Sequence, residues 1–267
     1  MTDAPLIDIR NATIYRGDTR VFENFSVSIG QHEQAAILGP NGSGKTTLLK
    51  VINREIYPVR REDSWVRILG RETWNVWELR SHIGIVSHDL QMNYRKTTTG
   101  LNVVLSGYLS SVGIHGLLAR QLTSDQKEHA GIIMRELGIE SLADTPLRKM
   151  STGQQRRCLL GRALVHSPDT LILDEPTAGL DLAASFDYLA RIRRQIAGGK
   201  NIVLVTHLLN EIPPDIRRLI LLREGRIVAD GPKEEVLTEK NLKETYGADV
   251  RVAKVDGYYL AYPPESD

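Results

Sequence analysis

The stretch AAILGPNGSGKTTLLKVIN, Ala35 to Asn53, decides the fold. Four apolar residues lead into a glycine-rich loop, and the loop leads into KTTLLKVIN, an apolar pattern of helical period. Strand, loop and helix follow one another without a spacer. The loop itself, Gly39-Pro40-Asn41-Gly42-Ser43-Gly44-Lys45-Thr46-Thr47, fits G-x-x-x-x-G-K-[ST] in the setting that a phosphate-binding loop needs. Its glycines let backbone N–H groups curl around phosphate oxygens, and the helix start adds the positive end of its dipole. Lys45 would reach the β- and γ-phosphates of a nucleotide, and the Thr46 hydroxyl would ligate Mg²⁺.

Outward from this loop, the N-terminal third alternates apolar and polar residues between turns. LIDIRNATIY, VFENFSVSI and QAAIL read as strands, and WVRIL and IGIVS as two more. From about Thr99 to Met150 the texture becomes helical. GLNVVLSGYLSS places Leu101, Val104, Leu105 and Tyr108 on one helix face. A second helix opens on the capping-box pattern Thr123-Ser124-Asp125-Gln126, buries Ala130, Ile133, Met134 and Leu137, and stops at Gly138. After Met150, helices near 154–166 and 182–197 alternate with strands TLILD and IVLVT. The tail adds RLILLR, GRIVADG, a helical stretch to about Tyr246 and a hairpin, VRVAKVDGYYLAY.

The pattern predicts an α/β fold with a phosphate-loop NTPase core. Its sheet is mainly parallel, with an N-terminal antiparallel β subdomain and an inserted all-helical subdomain. The expected division is one ATPase domain over residues 1–240, with the helical insertion at about 90–155, then a short extension over 241–267.

Composition narrows the class. The 267 residues are 41% hydrophobic and 25% charged, as in globular domains. Lys+Arg (34) balances Asp+Glu (33), so no basic surplus points to nucleic acid, and none is expected as a partner. The single cysteine, Cys158, excludes an intramolecular disulfide and fits a reducing cytosol. MTDAPLIDIR lacks the basic and apolar regions of a signal peptide, and no apolar run is long enough to span a bilayer. Work at a membrane would need a spanning partner.

Two more stretches carry chemistry. TLILDEP, Thr170 to Pro176, is an apolar strand ending in two adjacent carboxylates, which alternation points in different directions. Asp174 is assigned to Mg²⁺ and Glu175 to polarising a water. His207 closes IVLVT at the ligand edge of a parallel sheet, where it can hydrogen-bond a γ-phosphate and so tell ATP from ADP.

The order of phosphate loop, helical insertion, STGQQ, LILDEP, AGLD and VTH resembles the ATP-binding cassette (ABC) ATPases, from about Leu6 to Glu235. The resemblance implies that MSTGQQRR, Met150 to Arg157, is half of a site completed by a second copy. Two cassettes would meet head to tail as a homodimer, each signature closing over the ATP on its partner's phosphate loop. Ser151, Thr152, Gly153 and Gln154 would contact the γ-phosphate, with Asp181 of AGLD at the same interface and Tyr15 stacked on adenine.

The signature departs from the family's usual Leu-Ser-Gly-Gly-Gln by placing Thr152 at the first glycine, so this loop must hold an ordinary backbone angle there. The glutamine that usually follows the strand matching IGIVS is replaced by His88, with Gln91 three residues on. Either can take its magnesium-sensing role. His88 in that role would make the link pH-sensitive near neutrality, and His88→Gln would then flatten the ATPase pH profile.

Three functions come into question for a phosphate-loop protein of this kind. The first is the ATPase subunit of a transporter, cytoplasmic and peripheral at the inner face of the membrane, with separate transmembrane permease subunits. GPKEEVLTEKNLKETYGADVRV is similar to the tails of iron–siderophore, haem and cobalamin importer ATPases. The alternative is a soluble cassette without a transport role, linked to nucleic-acid, repair or translation work; VVLSGYLSSVGIHG and the Thr152 signature are similar to those of such proteins. A phosphotransferase acting on a small molecule is opposed by the signature and by AGLD.

Overall fold

The computed structural model describes residues 4–114 and 116–264, and the chain divides into two units. One comprises Met1–Val76 with Asn201–Asp267, and the other Trp77–Lys200.

The first unit carries an antiparallel sheet, a mainly parallel sheet and a C-terminal hairpin. Strand β1 (Ile7–Arg16) pairs antiparallel with both β2 (Thr19–Ile29) and β4 (Trp65–Ile68). Alternation sends Ile7, Ile9, Ile14 and Phe22 fully inside. β1 bulges at Asn11, whose left-handed φ of 47° suits asparagine and whose N–H bonds the Ser26 hydroxyl. The other sheet is built around β3 (Ala35–Leu38), buried at all four positions. β7 (Asn201–Thr206) and β8 (Arg218–Arg223) flank β3 in parallel. Covered on both faces, β3 is an unbroken apolar run. β9 (Arg226–Pro232) adds an antiparallel edge. Helix α1 (Lys45–Ile52) follows the glycine-rich loop. At the end of the chain, α8 (Lys233–Val236) and α9 (Glu239–Tyr246) lead to the hairpin of β10 (Arg251–Val255) and β11 (Tyr258–Tyr262). The hairpin turns on Asp256 and Gly257, both at positive φ, as a two-residue loop requires.

The second unit holds a parallel pair, β5 (Ile83–Val86) and β6 (Thr170–Asp174), with helices around it. These are α2 (Val76–His82), α3 (His88–Asn93), α4 (Gly100–Leu105), α5 (Ser124–Glu136), α6 (Thr152–Leu164) and α7 (Leu182–Ala197). The capping box at Thr123 and Gln126 forms as the sequence predicts, and Gly138 leaves α5 at a φ of 63°. The helix expected over GLNVVLSGYLSS is shorter than its periodicity suggests. α4 ends at Leu105, and Val103 rather than Leu101 is fully buried. The Ser106 hydroxyl donates to the Val103 carbonyl, while a Cβ at Gly107 would lie 2.3 Å from the Arg162 carbonyl oxygen. Local hydroxyl bonding and that close approach end the helix where composition alone would extend it. Together the elements make an α/β fold, mainly parallel, with an N-terminal antiparallel sheet. Among the described residues no helix is long and apolar enough to cross a membrane.

Candidate active site

In the first unit, the phosphate loop leaves β3 at Gly39, whose N–H donates to the Thr206 carbonyl at 3.3 Å. A Cβ at Gly39 would stand 2.1 Å from the Leu222 carbonyl oxygen, so only glycine lets the loop pass this close to β8. The loop closes on Gly44, at a φ of 111°, where a Cβ would meet the Phe22 ring at 2.8 Å. Between them, Asn41 and Gly42 are exposed and Ser43 is buried. The cradle is therefore glycine-shaped at both ends and open at its crown, which fits phosphate oxygens. The Lys45 ammonium arches over the loop and donates to the Gly39 and Pro40 carbonyls at 2.7 and 2.9 Å. Thr46 faces solvent with Thr47 buried beneath the helix, so the hydroxyl assigned to magnesium is the accessible one.

Two further predicted residues lie beside this loop. Because Gly39 bonds Thr206, the loop begins next to His207. Because Phe22 packs on Gly44 and pairs with Ile14, the half-exposed Tyr15 is the next residue along the same strand.

The second unit gathers the remaining residues. Asp174 ends β6, and Glu175 follows at a φ of 45°. Left-handed backbone is costly for glutamate, and a residue before proline prefers an extended one, so the acid is held in a strained turn. That turn runs through Gly179 to Asp181, which caps α7 by accepting the Ala184 N–H at 2.8 Å. Ser151 caps α6 in a reciprocal box with Gln154. Its oxygen accepts the Gln154 N–H, which leaves the hydroxyl proton to donate. Thr152 is the first residue of α6, with no left-handed angle, as its β-branch requires. A Cβ at Gly153 would sit 3.4 Å from Ala184 and one at Gly179 3.8 Å from the Thr152 methyl, so the signature and the Asp181 loop adjoin.

His88 opens α3 behind the Ser87 cap, and Gln91 lies one turn on. Gln91 donates through Nε2 to Gln155 at 2.9 Å. Its own side-chain carbonyl oxygen is buried without a hydrogen-bond partner among the described residues, so it has lone pairs that a cation could use. Gln155 in turn donates to the carbonyls of Leu147 and Met150, just ahead of the signature. Sequence reasoning missed Gln155. Its place in GQQRR was the only trace. No cluster of three His, Cys, Asp or Glu among the described residues could hold a metal unaided.

The chain is similar to known proteins along most of its length. The model of the ABC transporter family matches residues 22–178. The chain is 32% identical to the manganese transport system ATP-binding protein MntB of Bacillus subtilis, across 90% of this chain and 92% of that one. It is 33% identical to the Nod factor export ATP-binding protein I of Burkholderia orbicola, across 93% and 79%. Among solved structures, a dimeric ATP-binding cassette in a post-hydrolysis state, bound to ADP and Pi, aligns with a TM-score of 0.68. It shares 26% identity, and the match covers 85% of this chain and 98% of that one.

Proposed function

This chain belongs to the ABC transporter family as an ATP-binding, ATP-hydrolysing subunit, and we propose that two copies close head to tail around two ATP molecules to drive separate membrane-spanning subunits. In that assembly it sits at the inner face of the membrane without crossing it. The observation that carries the reading is the exposed end of the second unit. Ser151 and Asp181 cap adjoining helices there, and Leu182 and Phe186 stand 70% and 62% exposed one turn apart on α7. Apolar side chains left in water beside two polar caps suit a surface that a second copy covers.

Each residue then has a task. The Lys45 ammonium exchanges its carbonyl partners for β- and γ-phosphate oxygens. Thr46 and Asp174 would hold Mg²⁺, with Gln91 or His88 as a further donor, and the ion would supply neutralisation of the developing negative charge. Glu175 takes a proton from the attacking water, and His207 hydrogen-bonds the γ-phosphate. Ser151 and Gly153 of the second copy donate to the same phosphate, Tyr15 stacks on adenine, and hydrolysis frees the two copies.

The reading is tested with Glu175→Gln, which retains ATP. We expect the variant to elute as a dimer with ATP and Mg²⁺ and as a monomer with ADP. Captured from detergent-solubilised native membranes, it should bring a stoichiometric polytopic partner. An ATP-dependent dimer that never meets such a partner would replace transport with a soluble role.

A further inference from the structure

Within the first unit, His207 is held by more than the strand that carries it. The Thr206 hydroxyl donates to the Glu211 carboxylate and accepts the Leu208 N–H at 3.0 Å, pinning the residues on either side. Glu211 is only 1% exposed, so this anchor is internal. A separate contact comes from the end of the chain. The Tyr246 hydroxyl, on the last turn of α9, donates to the His207 main-chain carbonyl at 3.1 Å.

α9 is built to hold that hydroxyl still. The Thr238 side chain caps its first turn by accepting the Asn241 N–H, and Gly247 ends it in the left-handed region. The Arg223 guanidinium donates to the Glu244 carbonyl, and Leu242, one turn before Tyr246, is fully buried. Burial pushes the Tyr246 phenol above its ordinary range, so it remains a protonated donor at working pH.

A cavity of about 490 Å³ lies beside the contact, walled by His207, Leu209, Leu242, Tyr246, Val250 and Leu260. Close packing normally fixes a peptide plane from all sides. Here part of that support is replaced by space, so the bond to the His207 carbonyl shares with the Leu208 N–H bond, at the other end of the same peptide group, weight that neighbouring atoms would otherwise carry.

We propose that Tyr246 is a positioning residue for His207, so that the C-terminal segment helps set how well the site tells ATP from ADP. The proposal rests on the reading of His207 as the γ-phosphate contact. Fixing the carbonyl fixes the peptide plane, and with it the direction in which the imidazole leaves the backbone. Loosening that plane lets the imidazole sample directions in which it cannot reach the phosphate.

Tyr246→Phe keeps the ring in the cavity wall and removes one oxygen. A neutral hydrogen bond is worth about five-fold in an equilibrium, so kcat should fall about five-fold while KM for ATP stays nearly constant. In a His207→Ala background the added Tyr246→Phe should change nothing further, because the imidazole it positions is gone. Phosphate release follows slow residual turnover. The ratio of ATP to ADP affinity, titrated with Glu175→Gln in every variant, runs the same cycle without hydrolysis. A native-like Tyr246→Phe beside an impaired His207→Ala overturns the positioning role and leaves the reading of His207 intact. Equal losses from Tyr246→Phe in both backgrounds would mean that it acts through the fold, and also overturn the proposal. A native-like His207→Ala overturns the sensor reading and the proposal together.

Discussion

Gln91 and Gln155, sixty-four residues apart, meet amide to amide at 2.9 Å. Gln155 spends the same amide on the carbonyls of Leu147 and Met150, so the segment after β5 is tied to the loop that precedes the signature. Gln155→Leu keeps the volume and removes all of these bonds. It should destabilise the protein by roughly 1–3 kcal/mol in a denaturant titration and lower turnover more than ATP affinity. Native stability and native turnover in this variant would remove the tie from the mechanism.

Gly44 is the second test. At a φ of 111° an added Cβ is strained, and it would also press on the Phe22 ring at 2.8 Å. Gly44→Ala should cost about 1–3 kcal/mol and weaken nucleotide binding, because the loop opens as Phe22 moves. Fluorescent-nucleotide titration beside a thermal melt separates the effects. Native affinity would mean that the cradle tolerates a methyl group.

Cys158 reports on the fold rather than the chemistry. Burial pushes its thiol up to about 12, with Arg157 pulling weakly the other way. At pH 8 it is therefore a thiol, packed 3.9 Å from the Met150 sulfur. A disulfide reagent should label the native protein far more slowly than the denatured chain. Equal rates would show the helix opening freely near the signature.

His166 gives a pH dependence. Burial lowers its pKa, the Gly107 carbonyl opposes that shift, and Arg162 adds to it. The folded state then binds fewer protons than the unfolded one, so stability rises with pH. That contribution is full above the unfolded value of about 6.5 and is lost as pH falls from there through the lower folded value. Melting temperatures at acidic and neutral pH should differ less in His166→Gln than in the native chain. An identical gap would assign the pH dependence to other groups.

The parts legible in the sequence are those signalled by near neighbours. The phosphate loop, the cap at Thr123 and the apolar run of β3 each declare themselves within a few residues, and with them the α/β class. The parts that were not legible depend on distant partners. Gln155 reads as helix interior until Gln91 is beside it, and Tyr246 as the end of a short helix until its hydroxyl finds His207. The early end of α4 depends on the Arg162 carbonyl opposite Gly107, which periodicity cannot sense. At Glu175 local rules mislead outright, since a residue before proline is expected to be extended.

That last residue sets folding against chemistry. Glycine would hold a φ of 45° at position 175 with less strain, and asparagine tolerates it better than glutamate does. The chain nevertheless keeps an acid there. Breeding this protein for heat resistance alone would favour discarding its own proposed base, and the sturdier descendants would bind ATP and leave it uncut.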